Sequence, residues 1–221
     1  MQNTSVKKLL VISLPAIAIL AAIAVVVVVN QVHVLSLTRD IAAIAGVHPF
    51  TGVLSNLGIL LWCATASTCA FAAIILRSIE SRKNYLFLVT SAFLSAYLMF
   101  DDLFQFHECI ADRCLGLNEK VIYVLLGISV FTYLVYFRKI ILQTNVITLF
   151  LALVFLSLSV SIDAIFESWL AWTGHWVYFI EDGAKWIGIV FWSSYFIETA
   201  FQFVARTNMS NQANPTLNLS G

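Results

Sequence analysis

Charge is the first thing this sequence is short of. Asp, Glu, Lys and Arg make up 11% of its 221 residues, against about 25% in an ordinary soluble domain. The two signs balance at twelve each, so there is no basic surplus to meet a phosphate backbone, and no nucleic-acid partner is expected. Metal-protein spacings are missing too. No H-E-x-x-H, no E-x-x-H and no zinc-ribbon pattern occurs. No stretch reads as a separate soluble domain, which disfavours a receptor carrying its own enzyme module and leaves room for a small membrane subunit.

What fills the chain is apolar: 61% of it is hydrophobic. A water-soluble fold of this size has nowhere to hide so much apolar surface. Lipid is the expected solvent, and in lipid a helix satisfies its own backbone while loops and sheet edges do not. Six runs approach the 20 or so residues needed to cross a hydrocarbon core of about 30 Å. They cover about 9–29, 53–76, 85–106, 121–137, 146–170 and 176–204. Most links are short, as in neighbouring antiparallel helices. The expected fold is all-α, a polytopic six-transmembrane-helix bundle over residues 1–206, followed by a polar, Asn-rich, disordered cytoplasmic tail at 207–221. The first run follows Lys7 and Lys8 as a signal peptide would, but its apolar core exceeds the 7–15 residues typical of one, so it reads as a retained anchor.

Orientation follows from the positive-inside rule. With the N-terminus inside, Lys7, Lys8, Arg77, Arg82, Lys83, Arg138, Lys139 and Arg206 lie on the cytoplasmic side, and only Arg39, Arg113, Lys120 and Lys185 do not. Both termini are then cytoplasmic, in a plasma or bacterial inner membrane. The same topology puts every acid except Glu80 and Glu198, and all four histidines, on the outer side or in the outer third of a helix. Orientation alone does not require that gathering.

Charges at membrane depth cost roughly 2.5–3.5 kcal/mol each on insertion scales unless they face protein or a wet cavity. Spacing suggests a shared interior face. Asp101, Gln105 and Glu108 recur at i, i+4 and i+7, flanked by Asp102 and His107; Ser159, Asp163 and Glu167 recur at i, i+4 and i+8. Lys185 stands four residues after Glu181 and three after Asp182, a spacing that favours a local ion pair. The expectation is an outward-facing polar pocket between the third, fifth and sixth spans. Asp102, Glu108, Asp163, Glu181, Asp182 and Lys185 are its candidate catalytic or charge-balancing groups. Asp102, His107, Glu108, Asp163, Glu181 and Asp182 are its candidate ligands for a divalent transition metal, Zn, Fe or Mn, which suit mixed nitrogen and oxygen donors.

Such a centre would make the chain a metal-dependent membrane hydrolase acting on a lipid-like substrate. Intramembrane acids paired with a lysine equally suit an ion, proton or metal transporter. The third reading is a non-catalytic membrane subunit or lipid-binding scaffold, with Trp62, Trp169, Trp172, Trp176, Trp186 and Trp192 anchoring helices at the membrane interfaces. In every case the bilayer is the first partner, with a lipid or cation as ligand.

Smaller features complete the expectation. Cys63 and Cys69, six residues apart on one helix, point in different directions and read as packing residues. Cys109 and Cys114 form a disulfide only if the outer segment between them is not helical. The apolar connector at 30–51 is either an interfacial helix, a lid over the acids, or a plain linker. Gly183, beside the acidic pair, is expected to leave room for a ligand.

Overall fold

The computed structural model describes residues 2–39, 41–48, 50–77, 81–106, 119–163 and 176–213, and they contain eight α-helices. The chain divides into two compact units, Met1–Gly52 and Val53–Gly221. The first holds α1 (Gln2–Asn30), α2 (Val34–Thr38) and α3 (Ile41–Ala45). Gln31, at a φ of 52°, and Gly46, at 65°, turn the chain after α1 and α3. His33 caps α2, its Nδ1 accepting from the Leu35 amide at 3.4 Å. The connector therefore carries two short helices rather than one interfacial helix.

The second unit is a five-helix bundle: α4 (Val53–Leu76), α5 (Arg82–Phe104), α6 (Glu119–Ile141), α7 (Val146–Ser161) and α8 (Trp176–Ala213). The starts of two of these helices are fixed by side chains that accept otherwise orphaned amides. Ser81 Oγ takes the Asn84 amide at 3.3 Å before α5, and Asn145 Oδ1 takes the Thr148 amide at 3.5 Å before α7. Helix α5 stops at Gln105, whose left-handed φ of 49° returns its amide to the Asp101 carbonyl.

The ends differ from expectation in ways that matter for the site. The third span was expected through 106, with Asp101, Gln105 and Glu108 on one stripe; α5 ends at Phe104 with a left-handed turn at Gln105, and Glu108 lies outside the described residues. Helix α6 runs on to Ile141, so Arg138 and Lys139 lie in its last turn, where cations meet free carbonyls, rather than beyond it. Helix α7 gives way to a wider π-type turn at 162–163, leaving about 24 Å of regular helix at 1.5 Å per residue. Helix α8 passes 204 and reaches Ala213, so part of the expected tail is helical.

By length and composition, four helical stretches among the described residues can cross a membrane: Val53–Leu76, Arg82–Phe104, Val121–Ile141 and Trp176–Thr207. Two shorter apolar helices, Ala16–Asn30 and Val146–Ser161, occupy the places of the other two expected spans.

Helix α8 is the hub. It runs parallel to α4, with Trp192 edge-on to Trp62 at 5.7 Å and Gly58 facing Ile189. It runs antiparallel to α7, with Phe155 stacked on Phe191 and Gly188 against Leu156. Phe196 touches Phe87 of α5 and Tyr133 of α6. Polar side chains tie the same helices across the core: Trp192 Nε1 donates to Ser95 Oγ at 3.0 Å, Ser91 Oγ and Tyr133 OH lie 2.6 Å apart, and Thr144 Oγ1 lies 2.8 Å from Tyr195 OH. Lipid tails are as apolar as leucine, so such bonds and close small-residue contacts are what give helices a reason to associate.

At Gly188 an added Cβ would meet the Leu156 backbone nitrogen at 2.9 Å and its Cγ at 2.8 Å, whereas one at Gly183 would meet nothing within 4 Å. Gly188→Ala should therefore force α7 and α8 apart at about 1–3 kcal/mol. Thermal melts in detergent should show a clear drop for Gly188→Ala and an unchanged or raised midpoint for Gly183→Ala.

Candidate functional site

The helix directions bring one end of the bundle together: the C-terminal ends of α5 and α7 and the N-terminal parts of α4, α6 and α8. Asp101 and Asp102 occupy the last turn of α5, and both are inward. Asp101 is 7% exposed and the Asp102 side chain 9%. Lys185 reaches Asp102 from α8, its Nζ 2.6 Å from Oδ1. The second oxygen, Oδ2, accepts from Trp62 Nε1 at 2.9 Å. One carboxylate thus clamps three helices, α4, α5 and α8. Lys185 also lies within the electrostatic reach of Asp101 and Asp182.

Lys185 was expected to pair along its own helix with Glu181 or Asp182; its closest contact is instead on α5. An exposed i, i+4 pair is worth only about 0.2–0.5 kcal/mol, and a carboxylate shielded from water attracts an ammonium more strongly than an exposed one does. Glu181 is half-buried and Asp182 exposed, one turn before Lys185. Asp163 belongs to another contact: its Oδ2 accepts from Tyr123 OH of α6 at 2.7 Å. The expected pocket of α5, α7 and α8 therefore has its acids held at two places, Asp102 by α4 and α8, and Asp163 by α6.

His107, Glu108, Glu167, Cys109 and Cys114 lie outside the described residues. Among the described residues no three His, Cys, Asp or Glu side chains are grouped as metal ligands. Cys63 is exposed and Cys69 buried on α4, both free, so Cys69 packs in the core as expected and Cys63 does not.

Four participants escaped the sequence reading. Asp101 was seen only as part of a stripe, and Tyr123 not at all. Trp62 and Trp192 were taken for interface anchors, but each is 1% exposed and donates its indole N–H inside the bundle. Trp176, by contrast, is 67% exposed. The available signal was position: Trp62 and Trp192 fall well inside their apolar runs, where an interfacial anchor has no interface to reach.

The sequence profile of a domain of unknown function, DUF8692, matches residues 14–199. The chain belongs to this family. The match takes in Asp101, Asp102, Lys185 and every other candidate position, so the site lies within the DUF8692 domain. No curated protein matches the chain, and no solved structure does. The chemistry of this DUF8692 member must be argued from its own residues.

A carboxylate stripped of its counter-charge in a shielded site is costly, and so is the converse. Asp102→Leu should destabilise the protein more than the double change Asp102→Leu, Lys185→Met, although by less than the 3–5 kcal/mol of a fully buried pair, because 36% of the Lys185 side chain is exposed. A double-mutant cycle read by melting in detergent checks this; additive losses would mean that the two groups do not depend on each other.

Proposed function

We propose that this DUF8692 protein is a multi-pass protein of the plasma or bacterial inner membrane, with both termini cytoplasmic, that binds and moves a cation, a proton in the first instance, through the cluster of Asp101, Asp102, Asp182 and Lys185. The observation that carries the reading is the 2.6 Å contact between Lys185 and Asp102, made between two helices long and apolar enough to cross a membrane. Ionisable groups at such places are expensive and mark ion or proton routes more often than chance.

The geometry supplies a specific step. Trp62 Nε1–H only donates, so it holds Oδ2 as an acceptor. A proton that arrives at Oδ1 displaces the Lys185 contact directly, and on either oxygen it removes the negative charge that holds the ammonium. Proton binding and release of Lys185 are therefore coupled: protonating Asp102 frees the ammonium from its partner and loosens α8 from α5. The nearby carboxyl groups of Asp101 and Asp182 add negative charge that favours any cation that approaches.

A metal-dependent hydrolase using Asp102, His107, Glu108, Asp163, Glu181 and Asp182 ranks lower on this geometry, because Lys185 and Trp62 already engage both oxygens of Asp102. A scaffold role has one observation in its favour: among the described residues no buried side-chain nitrogen or oxygen lacks a hydrogen-bond partner, as expected of a network that only holds helices together.

The deciding measurement is proton flux into liposomes carrying an internal pH-sensitive dye. The native protein should collapse an imposed gradient faster than empty liposomes, Asp102→Asn and Lys185→Met should lose at least tenfold of that excess, and Glu198→Gln should retain it. A native rate equal to that of empty liposomes, or full flux in Asp102→Asn, sinks the transport reading. One stoichiometric transition metal in the purified protein would move the hydrolase ahead.

A further inference from the structure

From beside the acid–lysine cluster, at Cys63 and Met99, to the opposite end of the bundle, α4 and α5 leave a groove of about 540 Å³ between them. It extends along α4 from Cys63 to Arg77, about 21 Å at 1.5 Å per residue. Its walls are low because they are built of alanine: Ala66 and Ala70 on one side, Ala92 and Ala96 on the other. Arg77 and Tyr85 close its far end. The groove thus joins a long apolar slot to a single cation.

The surroundings of that cation decide which ligand fits. Arg77, Arg82, Lys83, Arg138, Lys139 and Arg206 are all exposed at this end, and Lys83 lies over the Tyr136 ring at 5.5 Å. The described carboxylate there is Glu198, which takes a hydrogen bond from Gln202. Among the described residues these six cations meet one acid, and with Glu80, the other acid that the sequence places at this end, the excess is four, still a field for an anion. An apolar slot in a membrane-crossing pair of helices with an anion-favouring end matches one chemistry, an acyl chain carrying a negative headgroup. A partner helix would fill the slot but leave the charge unanswered.

We propose that the α4–α5 groove is a binding site for an anionic phospholipid, with one acyl chain along the alanine walls and the phosphate at Arg77. The site depends on the bundle spanning a membrane but not on what the acid–lysine cluster does, so failure of the flux assay leaves it standing and its own failure leaves the flux reading standing. Occupied, it would cover the alanine-lined stretch of α4 and α5.

Native mass spectrometry of the full chain in mild detergent tests it, with phosphatidylglycerol and phosphatidylcholine of identical chains supplied in equal amounts. The expected result is one phosphatidylglycerol retained per chain, in at least tenfold preference over phosphatidylcholine. Ala70→Phe with Ala92→Phe, which fills the slot, should abolish retention of both. Arg77→Gln, at the exposed end and safe for folding, should bring the preference close to one. Retention of neither lipid, equal retention of both by the native chain, preference intact in Arg77→Gln, or retention intact in the filled variant each overturns the proposal. So does conversion of a native dimer to monomer on filling the slot, which would assign the groove to a second copy.

Discussion

Four helices close on α8, and that single arrangement explains most of what the bundle does with its polar residues. The face of α8 turned toward these neighbours is closed to water, while the opposite face carries exposed side chains such as Phe179 and Phe201. Every polar group on the buried face must find a partner on a neighbour or leave an unsatisfied atom in an apolar medium, at roughly 1–3 kcal/mol. The side chains of α8 comply in order along the helix. Lys185 meets Asp102, Trp192 meets Ser95, and Tyr195 meets Thr144. The same crowding makes Gly188 necessary, since α7 approaches there closely enough to touch backbone. Aromatic rings fill what remains: Phe87 of α5 gathers Tyr133, Phe137, Phe196 and Phe203 around it at 5.4–6.0 Å.

Within that frame the Asp102 clamp differs from the other ties. Ser95, Ser91 and Thr144 are neutral, and each could be exchanged for an apolar contact at modest cost. Asp102 and Lys185 are charged, and replacing such a pair with well-packed apolar residues is often neutral or stabilising. A pair that stability alone does not require is the natural place to look for function, and the negative charge of Asp101 and Asp182 within reach of Lys185 draws attention to the same place.

The course of the helices was legible because length and apolarity are properties of a contiguous run; the bounds of α4 come out as read, at 53 and 76. Rotation about each helix axis was not. A helix apolar on every side gives no stripe to orient it, so nothing in the sequence turned Trp62 inward toward Asp102 or brought Tyr123 to Asp163. The end of α5 was hidden for a different reason. Left-handed backbone usually announces itself with Gly or Asn, and here a glutamine adopts it. The acidic clustering at one end was visible from the order of residues, but the division of those acids between two sets of partners arises only when the helices pack.

On the proposed reading, the pattern of donors also constrains how a cation leaves Asp102. Further along α5 the next tie is Ser95 with the Trp192 indole, and an indole N–H donates without accepting, so it cannot hand a proton on as a hydroxyl or carboxyl chain does. The Ser95–Trp192 tie is thus a brace between α5 and α8 and not a relay step. On the same reading, a proton moves on with a shift of α8 against α5, and the event that protonates Asp102 is the one that releases Lys185 from it. The parts that would resist such a shift are the close contact at Gly188 and the Trp62–Trp192 edge, both on α8. Chemistry at one end and packing at the middle of α8 are thus coupled through a single rigid element, which is the form of coupling that an alternating-access carrier requires and a static pore does not.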